Sequence, residues 1–252
     1  MKKFQSAASK FLSPFALIAV ILIVWQVVCA QGLVSELILP APTQIVTAFS
    51  TNLNTILTNT GTTLLETLSG ILISVALGYL SALLMNRSRL AFRTLGPIVY
   101  LTQTIPTICL APLLVLWFGF DMTPKIMLVV VACYFPICIN LLNGMNDVDE
   151  KYLVLKTTYQ MSDLEYLVKV KLKGTLKNFF VGLEISISYA MVASVIAEWL
   201  GGSDGLGVYM MRIRKMYQYD TMFALIFWIS ALSLLMVFIV RLMERKVLQY
   251  EK

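Results

Sequence analysis

The chain has 252 residues, of which 58% are hydrophobic and only 13% charged, with a mean hydropathy of +0.79; ordinary soluble domains carry roughly 25% charge. So little polar surface cannot cover a water-soluble core, and the formal charge of +6 falls between apolar runs rather than on one face, which argues against a nucleic-acid surface. With no histidine, the commonest general base and any Ser-His or Cys-His pair are missing, so no catalytic residue is expected.

Runs close to the ~20 residues that cross a hydrocarbon layer predict six transmembrane helices, at 14–31, 62–85, 96–119, 125–144, 177–199 and 220–241. The fold class is therefore an all-α membrane protein. Residues 1–13 form a basic leader to the first helix, in which Val28-Cys29-Ala30 imitates a signal-peptide cleavage site. Because five more apolar segments follow, the stretch reads more simply as a retained first span.

After it, Leu39-Pro40-Ala41-Pro42-Thr43 breaks any helix, and the amphipathic stretch 44–57 is expected to rest on the membrane surface. The second span carries small residues at four-residue intervals, Gly70, Ser74, Gly78 and Ala82, a pattern that permits close helix packing. Glu66 lies near the outer end of this span. Prolines 97, 106, 112, 124 and 136 interrupt the third and fourth spans, where kinks or a broken helix are expected. All four cysteines, Cys29, Cys109, Cys133 and Cys138, sit inside apolar stretches without a CxxC pair, so they read as buried packers and no metal set is expected.

The connector 145–176 changes to mixed charge. Leu153, Leu155, Tyr159 and Met161 suggest a short helix lying across the cytoplasmic face, and Ser162 with Glu165 makes a capping-box pattern for the next one. A solvated loop is the alternative. The fifth span repeats the small-residue stripe as Gly182, Ser186, Ala190 and Ser194, ending at Glu198, which suits either static packing or a hydroxyl-lined pathway. Glu184 lies two turns inside this span, where an unpaired carboxylate costs about 2.5 to 3.5 kcal/mol; it faces the pathway or snorkels. The glycines of 202–207 follow no strand and have the wrong order for a dinucleotide site, and there is no GxxxxGK[ST] loop, so the chain is not expected to bind ATP. Sixteen of the twenty Lys and Arg residues fall on the side of the N-terminus, which places both termini, including 242–252, in the cytoplasm of a multi-pass plasma-membrane protein.

In order along the chain, Leu39-Pro40-Ala41-Pro42-Thr43, the stretch 78–88, Ile105-Pro106, Ala111-Pro112-Leu113 and Leu116-Trp117-Phe118-Gly119-Phe120 resemble the permease subunits of binding-protein-dependent ABC importers, of the sulfonate, taurine and nitrate branch. Pro124-Lys125-Ile126, Phe135-Pro136-Ile137, Gly182-Leu183, Ala197-Glu198 and Gly205-Leu206-Gly207 extend the match nearly end to end. The resemblance implies a MetI-like six-helix bundle at 14–241 that forms the translocation pathway for a small solute, with no ATP or Mg on this chain. Its implied partners are an ABC ATPase subunit dimer that holds both, an extracytoplasmic solute-binding protein, a second copy of the chain and the lipid bilayer.

The family's coupling motif maps onto Val154, Leu155, Lys156, Thr157, Thr158, Tyr159 and Gln160, with Gln160 where the family has glycine. Keeping that turn would put Gln160 at φ > 0, at a cost of roughly 1 kcal/mol, so a different local turn is expected. Glu184, Ser186, Ala190, Ser194 and Glu66 are the expected pathway residues; Gly70, Ser74, Gly78 and Gly182 are the expected packing residues. Glu66 and Glu184 stand where relatives often carry basic residues, which leaves import of a vitamin or its precursor, such as a thiamine pyrimidine or riboflavin, open. A gradient-driven carrier using Glu66 or Glu184 is the alternative from another class, and a channel or scaffold a third; neither half of the chain repeats the other, which weighs against the carrier.

Overall fold

The computed structural model describes residues 2–249, with side chains from residue 16 onward. The side chains of Lys2, Lys3 and Lys10, and all of Lys252, which entered the charge count, lie outside the described residues. The helices are α1 (Lys2–Ala30), α2 (Pro42–Thr51), α3 (Leu53–Arg87), α4 (Arg89–Thr104), α5 (Thr107–Phe118), α6 (Met122–Thr158), α7 (Asp163–Tyr166), α8 (Leu172–Leu200), α9 (Leu206–Lys215) and α10 (Tyr219–Leu248), with a π-turn at Leu167–Lys171 between α7 and α8. No strand occurs among the described residues.

Four helices, α3, α6, α8 joined to α7, and α10, are long and apolar enough to cross a membrane. The expected third span is a pair, α4 and α5, bent by 105° at Ile105-Pro106. Pro106 fixes its own φ and disfavours helical backbone at Ile105, whereas Pro97 and Pro112 lie within their helices. An apolar stretch, Ala16–Ala30, lies in α1.

Two compact units divide the chain. The first, Met1–Leu57 with Tyr209–Trp228, is tied locally by polar contacts: Trp25 Nε1 donates to the Pro40 carbonyl at 3.1 Å, and the Thr43 amide donates to Gln26 at 3.2 Å. The expected surface stretch 44–57 is not one element. α2 ends at Thr51 with Asn52 as its cap, and Leu53 already begins the long α3. Ala41 replaces a polar cap, while Gln44 accepts from its amide at 2.8 Å and Pro42 occupies the first turn, where no amide hydrogen is needed.

The second unit, Thr58–Val208 with Ile229–Lys252, holds a core of Ile71, Cys133, Ile137, Leu141, Met145 and Ile187. Its helix seams use the small-residue stripes. A Cβ on Gly70 would meet Val129 at 2.5 Å, one on Gly78 would meet Ile137 at 2.9 Å, and one on Gly182 would meet the Pro136 carbonyl at 2.8 Å. Both stripes therefore press α3 and α8 onto α6. Ser74 Oγ donates to the Val130 carbonyl at 3.1 Å and Ser186 Oγ to the Cys133 carbonyl at 3.0 Å, which gives the seams directional bonds where lipid offers no hydrophobic drive. Cys29, Cys133 and Cys138 are buried as expected, but Cys109 is exposed on α5, because α5 turns that face outward from the α6 and α8 contacts made by Ala111 and Leu114.

Candidate functional site

The polar connector is organised by α6, which does not end where the apolar run ends. It continues as one helix of 37 residues to Thr158, so the expected separate helix across the face is the extension of the fourth span. Asp147, Asp149 and Glu150 mark the loss of hydrophobicity, but nothing there breaks the backbone ladder. The turn that stops α6 places Gln160 at φ 50°. The Met161 amide donates to the Lys156 carbonyl at 2.9 Å, five residues back, and the Gln160 amide donates to Thr157 at 3.3 Å. This is a left-handed helix terminus in which glutamine does what glycine usually does. The expectation of a different turn is corrected: the bonded geometry outweighs a penalty of roughly 1 kcal/mol.

Ser162 then caps α7, accepting from the Glu165 amide at 3.2 Å while Glu165 accepts from the Ser162 amide at 3.3 Å. Lys156 pairs with Asp163 across the turn and holds that exposed carboxyl below the ordinary range. The turn carries large exposed apolar side chains, Val154, Tyr159 and Leu164 each being 70% exposed. Thr157 and Thr158 bond back to the Val154 carbonyl.

At the break between α4 and α5 lies a cavity of about 480 Å³ whose wall includes Gln103, Thr107, Phe135, Asn140 and Tyr189. Among the described residues, no charged side chain lines it. Asn140 Nδ2 donates to the Pro136 carbonyl at 2.7 Å, and the last carbonyls of α4 and first amides of α5, which have no partner within their helices, meet at the break. Ile185, Tyr189 and Val192 bring the third wall from α8.

Ser186, Ala190 and Ser194 lie on the opposite, fully buried face of α8, with no exposed surface. Glu66 is equally buried: Lys125 Nζ donates to it at 2.8 Å and Ser194 Oγ at 3.3 Å. These four side chains are spent on packing and pairing inside the chain, which corrects the expectation that they face a pathway. Four-residue spacing identifies a shared face but not what that face meets. Glu184 departs from them; it is partly exposed and paired with Arg241 of α10, whose Nε lies 2.9 Å away.

Glu198, read from sequence as a rim carboxylate, is 1% exposed. It accepts from Thr63 Oγ1 at 2.7 Å and from the Gly207 amide at 2.5 Å. The Gly205 amide donates to Asn59, the Leu206 amide to Thr63, and Lys125 Nζ to the Asp204 carbonyl at 3.2 Å. The glycine-rich segment 202–207 is thus clamped by side chains of α3, α6 and α8. Gly202 and Gly205 have φ 131° and 126°, values that suit glycine. Among the described residues, no group of three His, Cys, Asp or Glu side chains converges on a metal-sized site.

Comparisons with known proteins agree with this architecture. The family described as "Binding-protein-dependent transport system inner membrane component" matches residues 74–249. An ABC transporter permease protein of Haemophilus influenzae is 36% identical over 91% of this chain and 94% of its own. An aliphatic sulfonates transport permease protein of Bacillus subtilis is 32% identical over 92% of this chain and 85% of its own. A solved amino acid ABC transporter with histidines shares the fold at a TM-score of 0.63 and 16% identity, over 79% of this chain and 96% of that one.

Proposed function

We propose, from the premise that this chain belongs to the family of binding-protein-dependent transport system inner membrane components, that it carries a small sulfonate-like solute along the cavity at the α4–α5 break. It is the membrane-spanning permease of an ABC importer. A sulfonate cargo is supported by the Bacillus subtilis relative. An uncharged wall is consistent with this cargo in one specific way: a desolvated anion without a cationic partner is held weakly, so the cavity acts as a conduit and affinity resides in an external binding protein.

The observation that carries the reading is the exposed apolar turn around Tyr159 and Gln160, fixed by a left-handed terminus on one side and a capping box on the other. A rigid apolar knob outside the apolar spans fits a groove on a separate ATPase, which holds ATP and Mg. Closure of two such ATPases would draw the turns of two copies of this chain together and rock the bundles around the cavity. In this reading the connector and both termini are cytoplasmic, in line with the distribution of Lys and Arg.

The test is co-expression with a candidate ABC ATPase subunit from the same organism. Cysteines at Thr157 or Tyr159 should crosslink to it, and deletion of 152–162 should abolish uptake of ethanesulfonate. Uptake that survives the deletion refutes the coupling role.

A further inference from the structure

The turn reaches α6 and α8 through the chain itself, but α3 has no covalent link to it nearby. A polar junction makes that link. Lys171, the last residue of the π-turn, donates to Asn86 Oδ1 at the end of α3 and to Asp149 Oδ2 on α6, both at 2.7 Å. Asn86 Nδ2 in turn donates to Asn146 Oδ1 at 2.9 Å and to Asp149 Oδ2 at 3.2 Å. Three helical elements meet in one closed set of bonds, and the ion pair is only 12% and 28% exposed. The Lys171 ammonium also lies 5.6 Å from the centre of the buried Tyr166 ring.

Three features set this junction apart from a chance surface pair. A π-turn holds one residue more than an α-turn, is rare, and is frequently found at functional sites; here it ends on the lysine that makes the contacts. Ser74 and the glycines of the stripe already hold α3 on α6 further along the seam, but at Ala82 and Met85 the packing is apolar and non-directional, and Lys171 with Asn86 and Asp149 supplies a directional contact at that end. The pair is also better shielded than an ordinary surface salt bridge, so it is screened less by salt.

We infer that Lys171 is a positioning residue that locks the end of α3 to the coupling turn, so that displacement of the turn moves α3 together with α6 and α8. This rests on the importer reading above. Without the lock, the Asn86 end of α3 would follow the turn less closely, and hydrolysis would couple less tightly to opening of the cavity. The residue touches neither solute nor the exposed knob; it acts through Asn86 and Asp149.

The experiment uses the complete importer in proteoliposomes, comparing ATP hydrolysis with and without the binding protein loaded with ethanesulfonate. Lys171→Met should still co-purify with the ATPase and keep basal hydrolysis, while stimulation by the binding protein falls roughly tenfold, within the usual range of coupling free energies. Lys171→Arg, which retains charge and donors, should restore most of it. Stimulation unchanged in Lys171→Met overturns the inference. If Lys171→Met does not accumulate, Asn86→Ala, which leaves the Lys171–Asp149 pair in place, must show the same loss; normal stimulation there overturns it equally. If the ATPase fails to co-purify even with the unaltered chain, the importer reading itself falls, and the lock with it.

Discussion

Glu66 and Lys125, on different helices and 59 positions apart, meet at 2.8 Å with 0% and 5% of their side-chain surfaces exposed. A buried pair of this kind contributes little net stability while intact, yet leaves an uncompensated charge when one member is lost. Glu66→Gln is therefore expected to destabilise the chain by about 3–5 kcal/mol, read as a lower midpoint of thermal aggregation in detergent. Glu66→Leu combined with Lys125→Met should recover most of that loss. A single variant as heat-resistant as the parent would show that the pair is not buried.

The helical glycines separate into positions with and without room. Gly182→Ala places a methyl 2.8 Å from the Pro136 carbonyl, a backbone atom that cannot turn aside. Overpacking of about 1–3 kcal/mol is expected. A methyl on Gly61, inside α3, would have nothing within 4 Å among the described residues, and the position should tolerate alanine and gain about 0.8–1 kcal/mol from helix propensity. Measured together by thermal melts, the two substitutions must shift in opposite directions.

Gln160 stands at φ 50° without being glycine. Gln160→Gly should remove backbone strain of roughly 1 kcal/mol and leave the connector equally ordered. Gln160→Val, β-branched, should cost more than the glutamine does. Hydrogen exchange at the Gln160 and Met161 amides would follow both; faster exchange in the glycine variant than in the parent would refute the strain assignment.

Glu184 and Arg241 lie partly exposed, each satisfying the other. Exchanging the charges, Glu184→Arg with Arg241→Glu, should preserve both the melting temperature and ethanesulfonate uptake. A collapse of uptake with an unchanged melt would mean that Glu184 contacts solute directly.

The legibility of this chain follows the range of each interaction. Ser162 and Glu165 are three residues apart, so their reciprocal cap is written locally, and Pro106 marks the broken span because its ring acts on its immediate neighbour. Ser186 and Ser194 disclose by spacing that they share a face, but the face that meets them belongs to α6 and α3. The pairing of Glu66 with Lys125 obeys no spacing rule at all. α6 outruns its hydrophobic stretch because leaving lipid and ending a helix are separate events; the second needs a terminus, supplied only at Gln160.

The bend at Ile105-Pro106 also bears on how the chain is made. At 1.5 Å per residue, α4 and α5, with 16 and 12 residues, are only ~24 and ~18 Å long, each short of a ~30 Å hydrocarbon layer. Neither half can partition from the translocon as an independent stop. The freed backbone at the corner is therefore expected to depend on shelter from α6 and α8, both of which follow it in the chain.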